Sequence, residues 1–379
     1  RDFEKLDFSP YIGGPIGYIA YDGGRYIEDL PSFAVDDLKL PDFYFIKPTL
    51  VLAHNLETKE LFVFLHRQGS ENPLAFDEIK NCLEKKDVLE QYKVTGSVRS
   101  NLEKKYFLKA VSRIRERIYA GDVYQVNFSQ RFVRNFRGES LALYKRLREL
   151  NPGPFCAYLK ASDFSLLSSS PERLVSLNNK GAQTRPIAGT RRRGKDEMED
   201  DFLSGNLLLD DKERAEHIML VDLERNDLGK VCRYDSVKVD ELMILEKYSH
   251  VIHIVSNVCG ELYKRKDAFD LLKALFPGGT ITGCPKVSCM EIIEELEPTR
   301  RGPYTGSLGY FSYNGNIDFN ILIRTIVEVA GKVYIQAGAG IVADSKPERE
   351  YFETISKAQA LFKSWGRTFK EEQWEKMST

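Results

Sequence analysis

Apolar residues along this chain change their period from two to about 3.6 and back, and never settle into a strand–helix–strand rhythm. Residues 1 to 92 carry short apolar runs (YIGGPIGYIAY, FYFIKPTLVLAH, ELFVFLH) between turn residues, the pattern of strands. From YFLKAVSRIRERIYAGD the period is helical, with Gly121 as the stop. VYQVNFSQRFV then alternates as a strand, followed by a helix over 140–150 and strands near 155–160, 164–168 and 173–178. A long helix is predicted over 199–224, and another over 285–297, opened by Pro285 and closed before Pro298. The last strand, KVYIQAG, leads into the helix SKPEREYFETISKAQALFKSW, with Ser345 as N-cap and Pro347 in the first turn. A doubly wound sheet needs regular alternation, so this order predicts an α+β fold; no short repeat supports a solenoid or propeller. The expected organisation is a β-rich region over 1–92, a polar linker over 93–103, a main region over 104–366 and a tail over 367–379.

The chain's 379 residues suffice for a large buried core, and 42% hydrophobic with 29% charged residues is globular composition. Lys plus Arg (55) nearly cancels Asp plus Glu (56), which excludes a surface built wholly for nucleic acid. The local exception is TRPIAGTRRRG (184–194), where four arginines surround Pro-Ile-Ala-Gly-Thr. Without interleaved aromatics it reads as charges around a small pocket rather than a nucleic-acid patch. Six cysteines form no CxxC pair and no zinc-like spacing with the five histidines, as in a cytoplasmic protein with reduced thiols. No apolar run approaches the roughly 20 residues of a membrane span. Neither a nucleic acid nor a membrane is an expected partner.

Two pairs of glutamates recur at i, i+3 spacing on predicted helices: Glu213 with Glu216, and Glu350 with Glu353. Residues three apart share a helix face, so two such faces brought together offer hard oxygen ligands suited to Mg²⁺. Solvated faces are the alternative, and Glu350 would in any case suit a helix first turn. QAGAGIVADS and FPGGTITGCPK both put glycines before a predicted helix, as an anion-binding turn or as tight packing. Arg324, in the apolar run DFNILIRTIV, is either a buried partner for an acid or a fork for a carboxylate ligand. Tyr304 is a further candidate donor or a core tyrosine. His250 and His253 lie three apart in a strand-like run and point to opposite faces, so one of them can face a pocket.

Taken together, GDVYQVNFSQRF, SSSPERL, TRPIAGTRRRG, AEHIMLVDLERNDLGKV, EKYSHVIHIVS, FPGGTITGCPKVSCMEIIEELEPTRRGPYTGSLGY, DFNILIRT and AGAGIVADSKPEREYFET resemble the chorismate-utilising enzymes. Within them, the resemblance is to the large subunits of aminodeoxychorismate synthase and anthranilate synthase, and it covers residues 104 to 366 in order. It implies large antiparallel sheets packed as a β-sandwich with flanking helices and the active site in a cleft. It also implies a preceding segment that the sequence does not contain.

For the site, the resemblance implies Mg²⁺ held by Glu216 and Glu353, supported by Glu213 and Glu350. The metal would grip the ring carboxylate of chorismate, with backbone donors at Gly189 and Thr190. Arg324 and Tyr304 would hold the enolpyruvyl carboxylate beside the turn from Gly338 to Gly340. Glu172 matches the general acid beside the departing C4 hydroxyl, His253 and Thr280 line the ring, and Lys357 lies one turn beyond Glu353. Relatives that add water carry a lysine where this chain has Gln125; an amide is not basic near neutrality, so ammonia is the expected nucleophile. No glutaminase motif is present, which implies a separate glutamine amidotransferase subunit. Ala188 stands where one branch of aminodeoxychorismate synthases has a nucleophilic lysine, and here it resembles anthranilate synthases. YQVN, FPGGTITGCPK, YTGSLGY and DFNILIRT instead resemble aminodeoxychorismate synthases, so amination at C4 is expected and anthranilate formation is the alternative.

Overall fold

A computed structural model describes residues 9–66, 76–85, 91–248 and 251–366. Two large sheets organise them, and every strand pairing within the sheets is antiparallel. The first runs through Ile187–Arg192, Val251–Glu261, Gly181–Arg185, Arg173–Asn178, Ile317–Asn320, Ser307–Phe311, Ile16–Ile19 and Phe43–Ile46, with Lys238–Lys247 also paired to Val251–Glu261. The second runs through Gly283–Cys284, Gln125–Gly138, Lys332–Ile341, Thr325–Val329, Phe164–Ser170 and Phe155–Lys160. Tyr18, Leu166, Leu322 and Val327 pack together where the two sheets meet. This is the expected α+β class, with large antiparallel sheets and flanking helices.

The main core lies under the second sheet, against helices Lys104–Tyr119, Ser140–Leu150, Lys286–Leu296 and Pro347–Ser364. Phe107, Phe128, Phe132 and Phe362 are fully buried there, each removing apolar area that stabilises the fold by roughly 2–3 kcal/mol. The helix Asp211–Gly229 instead packs on the first sheet, burying Val221 and Leu228. The helices Asp211–Gly229 and Pro347–Ser364 carry the two glutamate pairs; we call them the first and second acid helices.

Four local expectations are corrected. The stretch read as a linker over 93–103 is largely strand, Tyr92–Ser100, paired along Gln125–Gly138 from Tyr92 opposite Gly138. Its polarity reflects one exposed face and a register shift around Gly96, whose φ is +82°. The helix read over 199–224 is two, Glu197–Leu209 and Asp211–Gly229, because Asp210 leaves helical backbone. Its side chain instead accepts hydrogen bonds from the amides of Lys212 and Glu213. The last helix is N-capped by Lys346 rather than Ser345, whose hydroxyl accepts from the Val342 amide. Finally, Gly338 and Gly340 lie inside the strand Lys332–Ile341, opposite Ser129 and Asn127, and not in a turn before a helix.

Candidate active site

The two acid helices line one cavity of about 920 Å³, together with strands from both sheets. All sixteen site residues expected from the sequence line it; His250 lies outside the described residues.

Each acid is placed by its helix, three of them held by a cation or an amide and Glu350 by the Ser345 hydroxyl. Glu213 accepts from Arg191 at 3.1 Å, and the same guanidinium reaches Asp210 at 2.9 Å. Glu216 accepts from the Gln125 side-chain amide at 3.1 Å. Glu353 pairs with Lys357 at 2.7 Å, one turn along the second acid helix. Burial pushes the Glu216 carboxyl up, and Glu213 beside it pushes further. Burial likewise pushes Glu350 up, opposed by the Ser345 hydroxyl and reinforced by Glu353. Lys212 and Lys357 oppose both shifts, so acids from the two helices share the same cations across the cavity.

Glu172 sits on the turn between strands Phe164–Ser170 and Arg173–Asn178 and is 5% exposed. Burial pushes its carboxyl up to about 7, although the Thr280 hydroxyl and the Ile187 amide nearby favour the anion. Neither Glu172 Oε1 nor Thr280 Oγ1 is aligned with a hydrogen-bond partner. Thr280 lies in the short helix Gly279–Thr282.

The arginine-rich stretch 184–194 ends the strand Gly181–Arg185 and forms the strand Ile187–Arg192. The register slips between Ala188 and Thr190, and Gly189 in the slip has φ +65°, a conformation suited to glycine. Ala188 is 7% exposed and lines the cavity. Its neighbour His253 has Nδ1 at 3.0 Å from Thr190 Oγ1 and 3.2 Å from the Gly189 carbonyl. A carbonyl only accepts, so Nδ1 carries the proton; burial keeps the ring below its ordinary pKa and hence neutral. The arginines themselves are paired: Arg185 with Glu241 and Glu246, Arg191 with Asp210 and Glu213, Arg192 with Glu199, and Arg193 with Asp200. A neutralised cluster of this kind offers no stripe for a polyanion.

On another wall, Arg324 is half-buried, with its backbone in the left-handed region at φ +52°, and donates to the Lys357 carbonyl. Tyr304 lies beside it, its phenol raised by burial and approached by the Gly338 amide, with the Arg301 guanidinium 5.6 Å above its ring. The glycines opposite have a spatial reason. A Cβ at Gly338 would fall 2.3 Å from Asn127 Oδ1, and one at Gly340 would fall 2.4 Å from Gln125 Nε2. The sequence marks Arg191 only as one of the charges around a small pocket and gives no sign of Lys212, Asn127 or Arg301, which meet partners far away in the chain.

The comparisons place these observations in a family. Residues 3–363 match the family of chorismate binding enzymes. The chain is 48% identical over 364 residues to aminodeoxychorismate synthase component 1 of Bacillus subtilis, covering 94% of this chain and 77% of that protein. It is 44% identical to anthranilate synthase component 1 of Acetivibrio thermocellus, covering 93% and 75%. The crystal structure of anthranilate synthase component I from Streptococcus pneumoniae superposes with a TM-score of 0.86 at 34% identity, covering 95% of this chain and 82% of that one. The chain belongs to the chorismate binding enzymes. It is a chorismate-utilising enzyme, with relatives of two product specificities at similar distance.

Proposed function

We propose that this protein aminates chorismate at C4 to 4-amino-4-deoxychorismate in the cytoplasm, using ammonia delivered by a partner glutamine amidotransferase subunit. The observation that carries the reading is Glu172, a buried acid whose carboxyl burial pushes up to about 7, in the same cavity as two pairs of glutamates. The C4 position is supported by the likeness to the Bacillus subtilis synthase.

The donor chemistry suits a divalent cation. Glu216 and Glu350 are both destabilised as anions by burial and by a neighbouring glutamate, a charge excess that Mg²⁺ would offset. Among the described residues, no three acids yet stand close enough together to hold an ion, and Arg191 and Lys357 pair with two of them. Glu216 and Glu353 would hold the metal, with Glu213 and Glu350 in support, once those cations move aside. Bound there, Mg²⁺ would neutralise charge on the ring carboxylate as the hydroxyl departs.

The chain's own residues do the rest. Arg324 and Tyr304, with the Gly338 amide, bind the enolpyruvyl carboxylate. Gly189 and Thr190 offer backbone donors to the ring carboxylate, and neutral His253 and Thr280 flank the ring. Ammonia forms the new C–N bond, the C–O bond at C4 breaks, and Glu172 gives its proton to the departing oxygen, which leaves as water. The ammonium formed returns a proton to Glu172, so the sum is chorismate plus ammonia to aminodeoxychorismate plus water. Gln125, fixed by Glu216, is no base for activating water.

Ala188 in the cavity wall favours a second reading, formation of anthranilate and pyruvate, as in the relatives that are anthranilate synthases. One incubation separates them: chorismate, Mg²⁺ and ammonium, with products identified by mass. A chorismate-derived amine without pyruvate is expected; anthranilate with pyruvate would overturn the C4 assignment.

A further inference from the structure

We propose that Arg301, locked to Glu297 behind the cavity wall, is a positioning residue that sets the subsite of the enolpyruvyl carboxylate through Tyr304 and Asn127, and the ring subsite through Thr280. The inference rests on the reading of Tyr304 and Thr280 as substrate contacts. It begins from two adjacent arginines that follow the helix Lys286–Leu296. Arg300 turns outward and donates to the Ser32 hydroxyl at 3.2 Å, whereas Arg301 turns inward and is 2% exposed. Glu297, the C-cap of that helix, is 3% exposed and receives it. Arg301 Nε donates to Glu297 Oε2 at 3.0 Å and Nη2 to Oε1 at 2.7 Å, a bidentate fork. Attraction within a buried pair offsets its desolvation only where the remaining donors and lone pairs are also met. Here they are met by groups that belong to the site.

Arg301 Nη2 also donates to the Asn127 carbonyl at 2.6 Å, and Nη1 donates to the Ile281 carbonyl at 3.0 Å and the Thr305 hydroxyl at 3.2 Å. All five guanidinium N–H groups are thereby used. Glu297 Oε1 in turn accepts from the Ser129 amide at 2.9 Å and the Ser129 hydroxyl at 2.8 Å. Each bond fixes a different part of the wall. Asn127 and Ser129 belong to the strand Gln125–Gly138, and a Cβ at Gly338 would meet both Asn127 Oδ1 and, at 3.0 Å, the Tyr304 hydroxyl. Those two oxygens therefore flank one glycine of the carboxylate subsite. Ile281 follows Thr280 in the short helix Gly279–Thr282. Tyr304 is clasped between Arg301 and Thr305. Its amide reaches the Arg301 carbonyl at 3.3 Å, its own carbonyl accepts from the Thr305 hydroxyl at 2.6 Å, and the guanidinium lies over its ring. One buried cation thus sets three separate segments of the chain relative to one another, at Asn127, Thr280 and Tyr304, where each lines the cavity.

The test measures chorismate binding by titration calorimetry, with Mg²⁺ present and ammonia omitted. Arg301→Lys keeps the charge but has only three donors in place of five, so Kd is expected to rise about tenfold. Tyr304→Phe should weaken binding too, and the double variant should be little weaker than the worse single one, because both act on one subsite. A purely structural role would lower the fraction of chain that binds and leave the Kd of that fraction unchanged. That result, or effects that multiply in the double variant, would overturn the proposal. Should Arg301→Lys not fold, Ser129→Ala takes its place, since it removes one donor from Glu297 and leaves the ion pair. About a threefold rise in Kd that disappears in the Tyr304→Phe background is then expected, and an unchanged Kd would be equally fatal. A Tyr304→Phe variant that binds as tightly as the parent would sink the carboxylate subsite itself and the proposal with it. Weaker binding in Tyr304→Phe with none in Arg301→Lys would sink the proposal alone.

Discussion

A side chain can donate a proton to a leaving hydroxyl only if it still holds one at the working pH, and for Glu172 burial supplies that condition. Glu172→Gln preserves shape and removes the proton, so kcat should fall about 10²- to 10⁴-fold with little change in KM, measured by steady-state chorismate consumption. Ala188 allows a different experiment. Because it borders the cavity, Ala188→Lys should leave the thermal midpoint within about a degree of the parent while changing the products. Unfolding of that variant would show the position to be packing rather than pocket. Gly338→Ala should instead raise KM about tenfold, since its Cβ meets Asn127 and approaches the Tyr304 hydroxyl. Among residues, the glutamate pairs were legible because i, i+3 spacing is local, and Glu172 through its family motif. Arg191 and Lys212 were not, since their meaning comes from acids brought near by folding.

The break at Asp210 shows how an element sets the site. By ending one helix and capping the next, Asp210 fixes the first turn from which Glu213 projects, and it holds the outer side of Arg191. Asp210→Ala should cost about 1 kcal/mol through the lost cap, read as a small drop in thermal midpoint. It should also raise the Mg²⁺ concentration for half-maximal activity, since Arg191 is left to Glu213 alone; an unchanged requirement would separate the cap from the metal site. The periodicity of the sequence runs straight through this break, which is why one helix was expected there. Tyr92–Ser100 was hidden for the complementary reason: a strand made by pairing with residues some forty positions away needs no apolar alternation of its own. The glycines of Lys332–Ile341 read as a turn because glycine marks turns, whereas here it admits Gln125 and Asn127 from the neighbouring strand.

For the whole molecule, the buried acids link the chemistry to stability. Glu172 and Glu224 are raised from an ordinary glutamate value of 4.5 to about 7 and about 8, so between those limits the native state binds more protons than the unfolded chain. Stability therefore falls as pH rises across that window. His217, buried against Ser256 at 2.6 Å, is pushed from 6.5 down to about 4, and there the native state binds fewer protons. Its contribution rises with pH and opposes the acids until the unfolded histidine has lost its proton near 6.5. Above that point the acids act unopposed by His217, and the free energy of unfolding should decline by roughly 2 kcal/mol between pH 6.5 and 8. Urea unfolding across that range measures it. A Glu172→Gln, Glu224→Gln double variant should flatten the decline, and the same slope in the double variant would mean that neither acid is held protonated by the fold.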